Sequence, residues 1–255
     1  MLDLIGGVVG LSAIGIILVV FIPAVSGTLA QRIGLGALGA GWVGIASGLG
    51  VAGRLAFSPD HPLPLIGVLC AVPILATGVL ALTSRKVRAA LMAVPMPVLI
   101  GLNGLRVFGA MFLLLAAAGR LSGPFPFFAG LGDIITGAAA ILLAVSIARS
   151  GNVPVAMIRR WNIFGALDLF AAIGLGITSA AGSPLQMIHA GAGSAAMQYL
   201  PYCLVPTVLV PFYLITHGIV AAQLTAITGQ RSRTLRRGPA TRSVPARYES
   251  GLPRA

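Results

Sequence analysis

Four side chains whose chemistry needs a partner, Arg106, Asp133, Asp168 and His217, stand inside long apolar runs of a 255-residue chain that has only five acidic residues and three histidines. Arg106 lies near the middle of PVLIGLNGLRVFGAMFLLLAAAG, residues 97–119. A charge at such a place in a spanning helix costs at least ~2.5 kcal/mol on insertion scales, so it faces a partner or a wet cavity rather than lipid. Asp168 offers the opposite charge, and His217 a group that titrates near neutrality. Asn103 precedes Arg106 by one turn and Tyr213 precedes His217 by four residues, so each shares a helix face with the residue it precedes. On helical rises Arg106 is ~13 Å from the start of its run at 97, and Asp168 is ~12 Å past Arg160. His217 falls about ten residues before the end of its own run at 227, at a similar level. The spacing therefore predicts one cluster of Arg106, Asp168 and His217 with Asn103, Tyr213 and Asn162. Such a cluster can pass ions or protons or hold a small solute; equally, it can be a static ion pair that fixes helix register.

Asp133 is expected elsewhere, ~10 Å below the opposite surface with Thr136 one turn deeper and no cationic partner. A lone carboxylate there suits a proton carrier or a hydrogen-bonded structural role. Its context, Gly130-Leu131-Gly132-Asp133, resembles the GxGD motif of the intramembrane aspartyl proteases, and the resemblance implies Asp133 as one catalytic aspartate with Asp168 as the second. The order of the two aspartates is reversed relative to the presenilin-like members, and their PAL motif has no match near the last run.

Composition says which elements must position these residues. With 57% hydrophobic residues, 9% charged residues, 34 glycines and a mean hydropathy of +0.99, the chain has no charged shell for a soluble core of its size. It reads as an all-α, polytopic transmembrane bundle of about seven spans, near residues 2–25, 34–53, 64–83, 97–119, 126–148, 161–180 and 201–227. Residues 1–228 form this membrane domain, and residues 229–255 form a basic tail too poor in apolar residues to fold alone. Gly36, Ala40, Gly44, Gly48 and Ala52 give the second span a face of small residues, expected to let a neighbouring helix of the same chain approach closely; Gly6 and Gly10 in the first span suggest a weaker instance. Pro95 and Pro97 preclude one straight helix over 89–119, so residues 89–96 read as an interfacial or half-inserted lead-in.

Other chemistry has little support. Cys70 and Cys203 lie in separate apolar runs, and neither His61 nor His189, both in loops, has a second ligand at metal spacing. No cofactor or metal is expected. The Gly191, Gly193, Ser194 loop follows no strand and has no lysine, so it is no phosphate cradle.

The basic residues set the orientation. With the C-terminus inside, cytoplasmic segments hold Arg32, Arg85, Lys86, Arg88, Arg149, Arg159, Arg160 and the seven arginines of the tail, against Arg54 and Arg120 outside. The N-terminus is therefore expected outside, and the tail against anionic headgroups rather than nucleic acid, since no fold motif or aromatic interleaving accompanies its charge. The segments LRVFGAMFLL, GLGD, RRWNIFGALD and LVPTVLVPFYLITHG, spread over residues 97–224, are similar to a family of uncharacterised bacterial multi-pass membrane proteins. That resemblance implies a bacterial inner-membrane location and leaves the first three spans outside the family. The functional reading is a small-molecule or proton-linked transporter with a polar intramembrane site; the alternatives are a non-catalytic accessory or scaffold protein and an intramembrane aspartyl protease.

Overall fold

Backbone polar groups in hydrocarbon find partners only in helices or closed barrels. The computed structural model, which describes residues 1–58 and 65–237, contains helices and no strand element among those residues. Seven stretches are long and apolar enough to cross a membrane: Leu2–Ala24 (α1), Leu29–Val51 (α2), Leu65–Thr83 (α3), Met96–Ala117, Phe125–Ser150 (α7), Val155–Ser179 (α8) and Val205–Gly229. A short exposed helix, α4 (Arg85–Met92), precedes the fourth span. That span is composite, with α5 (Met96–Leu102), a 3₁₀ stretch (Asn103–Gly109) and α6 (Ala110–Ala117). The last begins as a π-helical turn (Val205–Leu209) and continues as α9 (Val210–Arg237). His61 and Asp60 lie outside the described residues, as do residues 238–255 of the tail.

Local chemistry accounts for where helices start and stop. The Thr28 hydroxyl accepts from Gln31 N while the Gln31 side chain accepts from Thr28 N, a reciprocal cap that starts α2 five residues earlier than hydropathy suggests. Ser84 caps α4 by accepting from Val87 N at 3.3 Å, so residues 85–92, basic segment included, form one helix rather than a loop and a half-inserted lead-in. The chain then breaks at Pro95, and Gln223 of α9 donates to the exposed carbonyls of Met92 (3.1 Å) and Val94 (2.8 Å). Pro211 has no N–H for the Thr207 carbonyl one turn back; the Trp42 indole of α2 donates to that carbonyl at 2.9 Å instead. At the other end α9 runs to Arg237, so residues 229–237, expected in the tail, extend the helix: Gln, Arg and Leu propagate a helix already nucleated within the span.

Helix α7 lies at the centre, packed by α5, the 3₁₀ stretch, α6 and α8, while α9 packs on α3, α5 and α8. Helices α1 and α2 attach outside this group, through an edge-on contact of Phe21 with Phe212 at 5.3 Å and through Trp42. The start of α1 is pinned by the Tyr202 hydroxyl, which donates to Leu2 O at 2.8 Å, and by an ion pair between Asp3 and Arg120. Only part of the small-residue face of α2 packs: a Cβ at Gly36 would lie 3.4 Å from Ile22 of α1, whereas Ala40, Gly44 and Gly48 are exposed. The buried positions are Ala46 and Gly50, one and two turns beyond Trp42, whose indole reaches the π-helical turn. In α1 a Cβ at Gly10 would meet nothing within 4 Å, whereas one at Gly6 would lie 2.5 Å from the Tyr202 ring.

Candidate functional site

The 3₁₀ stretch, Asn103–Gly109, delivers Arg106 to the middle of the bundle. Its tighter winding gains ~2.0 Å per residue against ~1.5 Å in an α-helix, so Arg106 stands ~17 Å from Met96 rather than at the shallower level expected. Helix α8 begins at Val155, six residues before the expected start, which places Asp168 ~20 Å along it. Both shifts carry Arg106 and Asp168 toward the level of Asp133. The expectation that Asp133 lacks a cation is therefore corrected: Arg106 Nε donates to Asp133 Oδ1 at 2.7 Å while Nη2 donates to Asp168 Oδ2 at 2.5 Å.

The remaining guanidinium nitrogen completes the network. Arg106 Nη1 donates to the Gly165 carbonyl at 3.1 Å and to His217 Nε2 at 3.2 Å. Because Nε2 must then accept, the proton of the imidazole belongs on Nδ1, which donates to Asn162 Oδ1 at 2.8 Å; Asn162 Nδ2 in turn donates to His217 O at 3.1 Å. His217 in this network is neutral. Trp161 lies against its ring at 5.0 Å and donates from its indole to Thr136 O at 3.0 Å. The Tyr213 ring sits 5.8 Å from the guanidinium carbon, a cation–π contact. Asn103 joins only indirectly: its amide donates to Leu99 O and to Thr216 Oγ1, both at 2.9 Å, and Thr216 is the neighbour of His217. Its Oδ1 and the Thr136 hydroxyl are buried without a partner among the described residues.

Glycines make room for these groups. A Cβ on Gly132 would overlap the Asp168 carboxylate and one on Gly109 would overlap Asp133, while one on Gly165 would lie 2.7 Å from His217 Cε1. Gly130 packs against Leu113 of α6. The two glycines of the GxGD segment thus serve helix packing and the seat of Asp168. The two aspartates each take a different nitrogen of one guanidinium. Thr216, Trp161, Gly109, Gly132 and Gly165 were not among the candidate residues. Only the glycines left a trace in the sequence, since each lies within three residues of a charged candidate.

Electrostatically, the cluster holds two carboxylates against one permanent cation. The Arg106 side chain is 0% exposed, Asp168 9% and Asp133 16%. Asp133 floors a cavity of about 390 Å³, walled by Ile66, Phe112, Phe125, Ala172 and Met197 and capped by the 180–204 segment. It also borders a smaller cavity of about 70 Å³, where Arg106, Gly109 and Tyr213 meet Gly10 of α1. Among the described residues no group of three His, Cys, Asp or Glu side chains is placed to hold a metal ion. His189, in the 180–204 segment, makes no part of the cluster.

Seven spans around a dry arginine that bridges two aspartates define a multi-pass membrane protein with a buried charged site. The chain belongs to the family described as Domain of unknown function (DUF8737), whose family model matches residues 63–225. That range contains Arg106, Asp133, Asp168 and His217, and it also takes in the third span, which the sequence resemblance left outside. Searches of curated proteins and of solved structures each gave no match.

Proposed function

We propose that the protein is a proton-linked transporter of a small molecule, with Arg106, Asp133 and Asp168 as its ion-carrying site. One observation carries this reading: the buried cluster is one positive charge short, and the carboxylate through which that charge can arrive, Asp133, also floors the large cavity. A net negative charge in a dry interior is costly, so a proton or other cation completes the site. A solute entering the cavity meets the same carboxylate, which links the two. The span carrying Arg106 and the start of the last span both depart from α-helical winding close to this level, and broken helices beside a midplane site are the parts that move in alternating access. The arginine distribution supports a plasma-membrane orientation with the N-terminus outside, so that the cavity lies on the exterior side, beneath the 180–204 segment, and the tail faces the cytoplasm.

The test is flux. Proteoliposomes loaded with a pH-sensitive dye are challenged with a panel of small solutes under an imposed proton gradient, expecting solute-dependent proton movement that Asp133→Asn abolishes while the protein remains folded. Wild-type protein that moves no protons with any solute overturns the reading. The second reading, an accessory protein whose cluster only holds helices in register, draws on the complete burial of Arg106 and predicts that silent result.

A further inference from the structure

We propose that the cavity floored by Asp133 binds a lipophilic amine whose ammonium pairs with Asp133 and whose apolar body fills the cavity. Its role in exchange rests on the transport reading above; the binding itself does not.

Size and lining come first. A volume of about 390 Å³ falls in the range of small-molecule sites, and the walls are apolar apart from a few groups. Such a cavity suits a body the size of one or two rings with an alkyl chain. Gln198 at the capped end is only 4% exposed: its Oε1 accepts from Phe57 N at 2.9 Å, and its Nε2 is fully buried, out of reach of a molecule in the cavity. The other polar residues at that end are already engaged, since Ser194 Oγ donates to Gly176 O at 2.6 Å and Ser183 Oγ accepts from Leu185 N at 3.2 Å.

Charge supplies the polar anchor. Asp133 gives Oδ1 to Arg106, yet its side chain keeps 16% exposure. An anionic ligand would add to the excess negative charge, and a neutral one would leave it. An ammonium supplies the missing positive charge and donates the hydrogen bond that a carboxylate oxygen accepts. The groups facing Asp133 are Arg106 from the 3₁₀ stretch, Asp168 from α8, Tyr213 and His217 from α9, and Cys70 of α3 across the cavity. Arg106 is permanently charged and His217 Nε2 is occupied by it, so the displaceable proton belongs to the two carboxylates. Ammonium and proton then occupy the same vacancy in charge, one excluding the other.

Calorimetry on the full chain in lipid nanodiscs, with empty nanodiscs as the partition blank, compares 4-(4-methoxyphenyl)butylamine with 4-(4-methoxyphenyl)butan-1-ol. The amine is expected to bind at least about tenfold more tightly than the alcohol and to release a proton, read from buffers of different ionisation enthalpy. Asp133→Asn should reduce the amine to the alcohol's affinity while alcohol binding stays within about twofold, which also reports an intact cavity. Equal wild-type affinities, an amine preference that survives Asp133→Asn, or a retained lipid chain in native mass spectra with no amine binding each overturn the proposal. Amine binding without proton flux sinks the transport reading alone; solute-driven proton flux without amine binding sinks this inference alone.

Discussion

If Asp168 were the sole partner of Arg106, Asp168→Asn would strand a buried cation. The structure predicts a milder outcome, because Asp133 holds the same guanidinium. With asparagine at 168 the cluster has one cation and one carboxylate, and the amide oxygen still accepts from Nη2. The change replaces a hydrogen bond between two ions by one in which only the guanidinium is charged, still within the ~1.5–3 kcal/mol of bonds to charged groups, so the loss is about 1 kcal/mol. Asp133→Asn should cost a similar amount. The double variant removes both counter-charges from a guanidinium that is 0% exposed, which belongs with the breaking of a buried pair at about 3–5 kcal/mol. The double loss should therefore exceed the sum of the singles by roughly 2 kcal/mol, a coupling that neither variant reports alone. Adding Arg106→Met to the double variant should restore much of the stability, since no buried charge then remains. Equilibrium unfolding of the purified protein in mixed micelles with rising SDS gives all four values. A loss of about 3 kcal/mol or more for Asp168→Asn alone, or strict additivity in the double variant, would refute the view that the two aspartates share one cation.

Two further outcomes are expected. Gly132→Ala, whose Cβ would overlap the Asp168 carboxylate, should lower the unfolding midpoint markedly, whereas Gly48→Ala on the open face of α2 should leave it unchanged or raise it, in line with the ~1 kcal/mol helix preference for alanine; equal effects would mean that the seat of Asp168 is not what Gly132 provides. A phosphatase fused after Ala255 should be inactive and a fluorescent reporter there bright, and the reverse pattern would overturn the orientation with its N-terminus outside.

The spans were legible in the sequence because a run of apolar residues is itself the physical requirement for crossing lipid. The approach of Arg106 to Asp168 was legible as a matter of depth, from ends counted on the same side. Asp133 was not, because its depth was counted from the other side and the three errors were blind to one another: α8 starts six residues early, α7 begins at Phe125, and a 3₁₀ stretch lengthens the path to Arg106. Hydropathy does not register a 3₁₀ turn, since it reads composition and not winding. Partners reached through backbone carbonyls, such as Gly165 for Arg106 and Thr207 for Trp42, leave no side-chain signature at all. The glycines at 109, 132 and 165 can be seen, but what they make room for depends on helix rotation. The same limit explains α2, whose small-residue face packs at Gly36 and is open at Gly44 and Gly48.

The separation of the paired residues along the chain, 27 positions from Arg106 to Asp133 and 62 to Asp168, bears on how the protein is made. A ribosome delivers Arg106 to the membrane before either of its partners exists, and a charge in that stretch is costly to release alone into lipid. The turn at residues 118–124 brings the next helix, with Asp133, directly behind it. Helices α5 to α7 therefore form a natural unit of insertion, a hairpin in which the arginine is already neutralised when it leaves the translocation machinery. Asp168 arrives later and joins a pair already formed, so the carboxylate added last is the one that leaves the finished site one positive charge short.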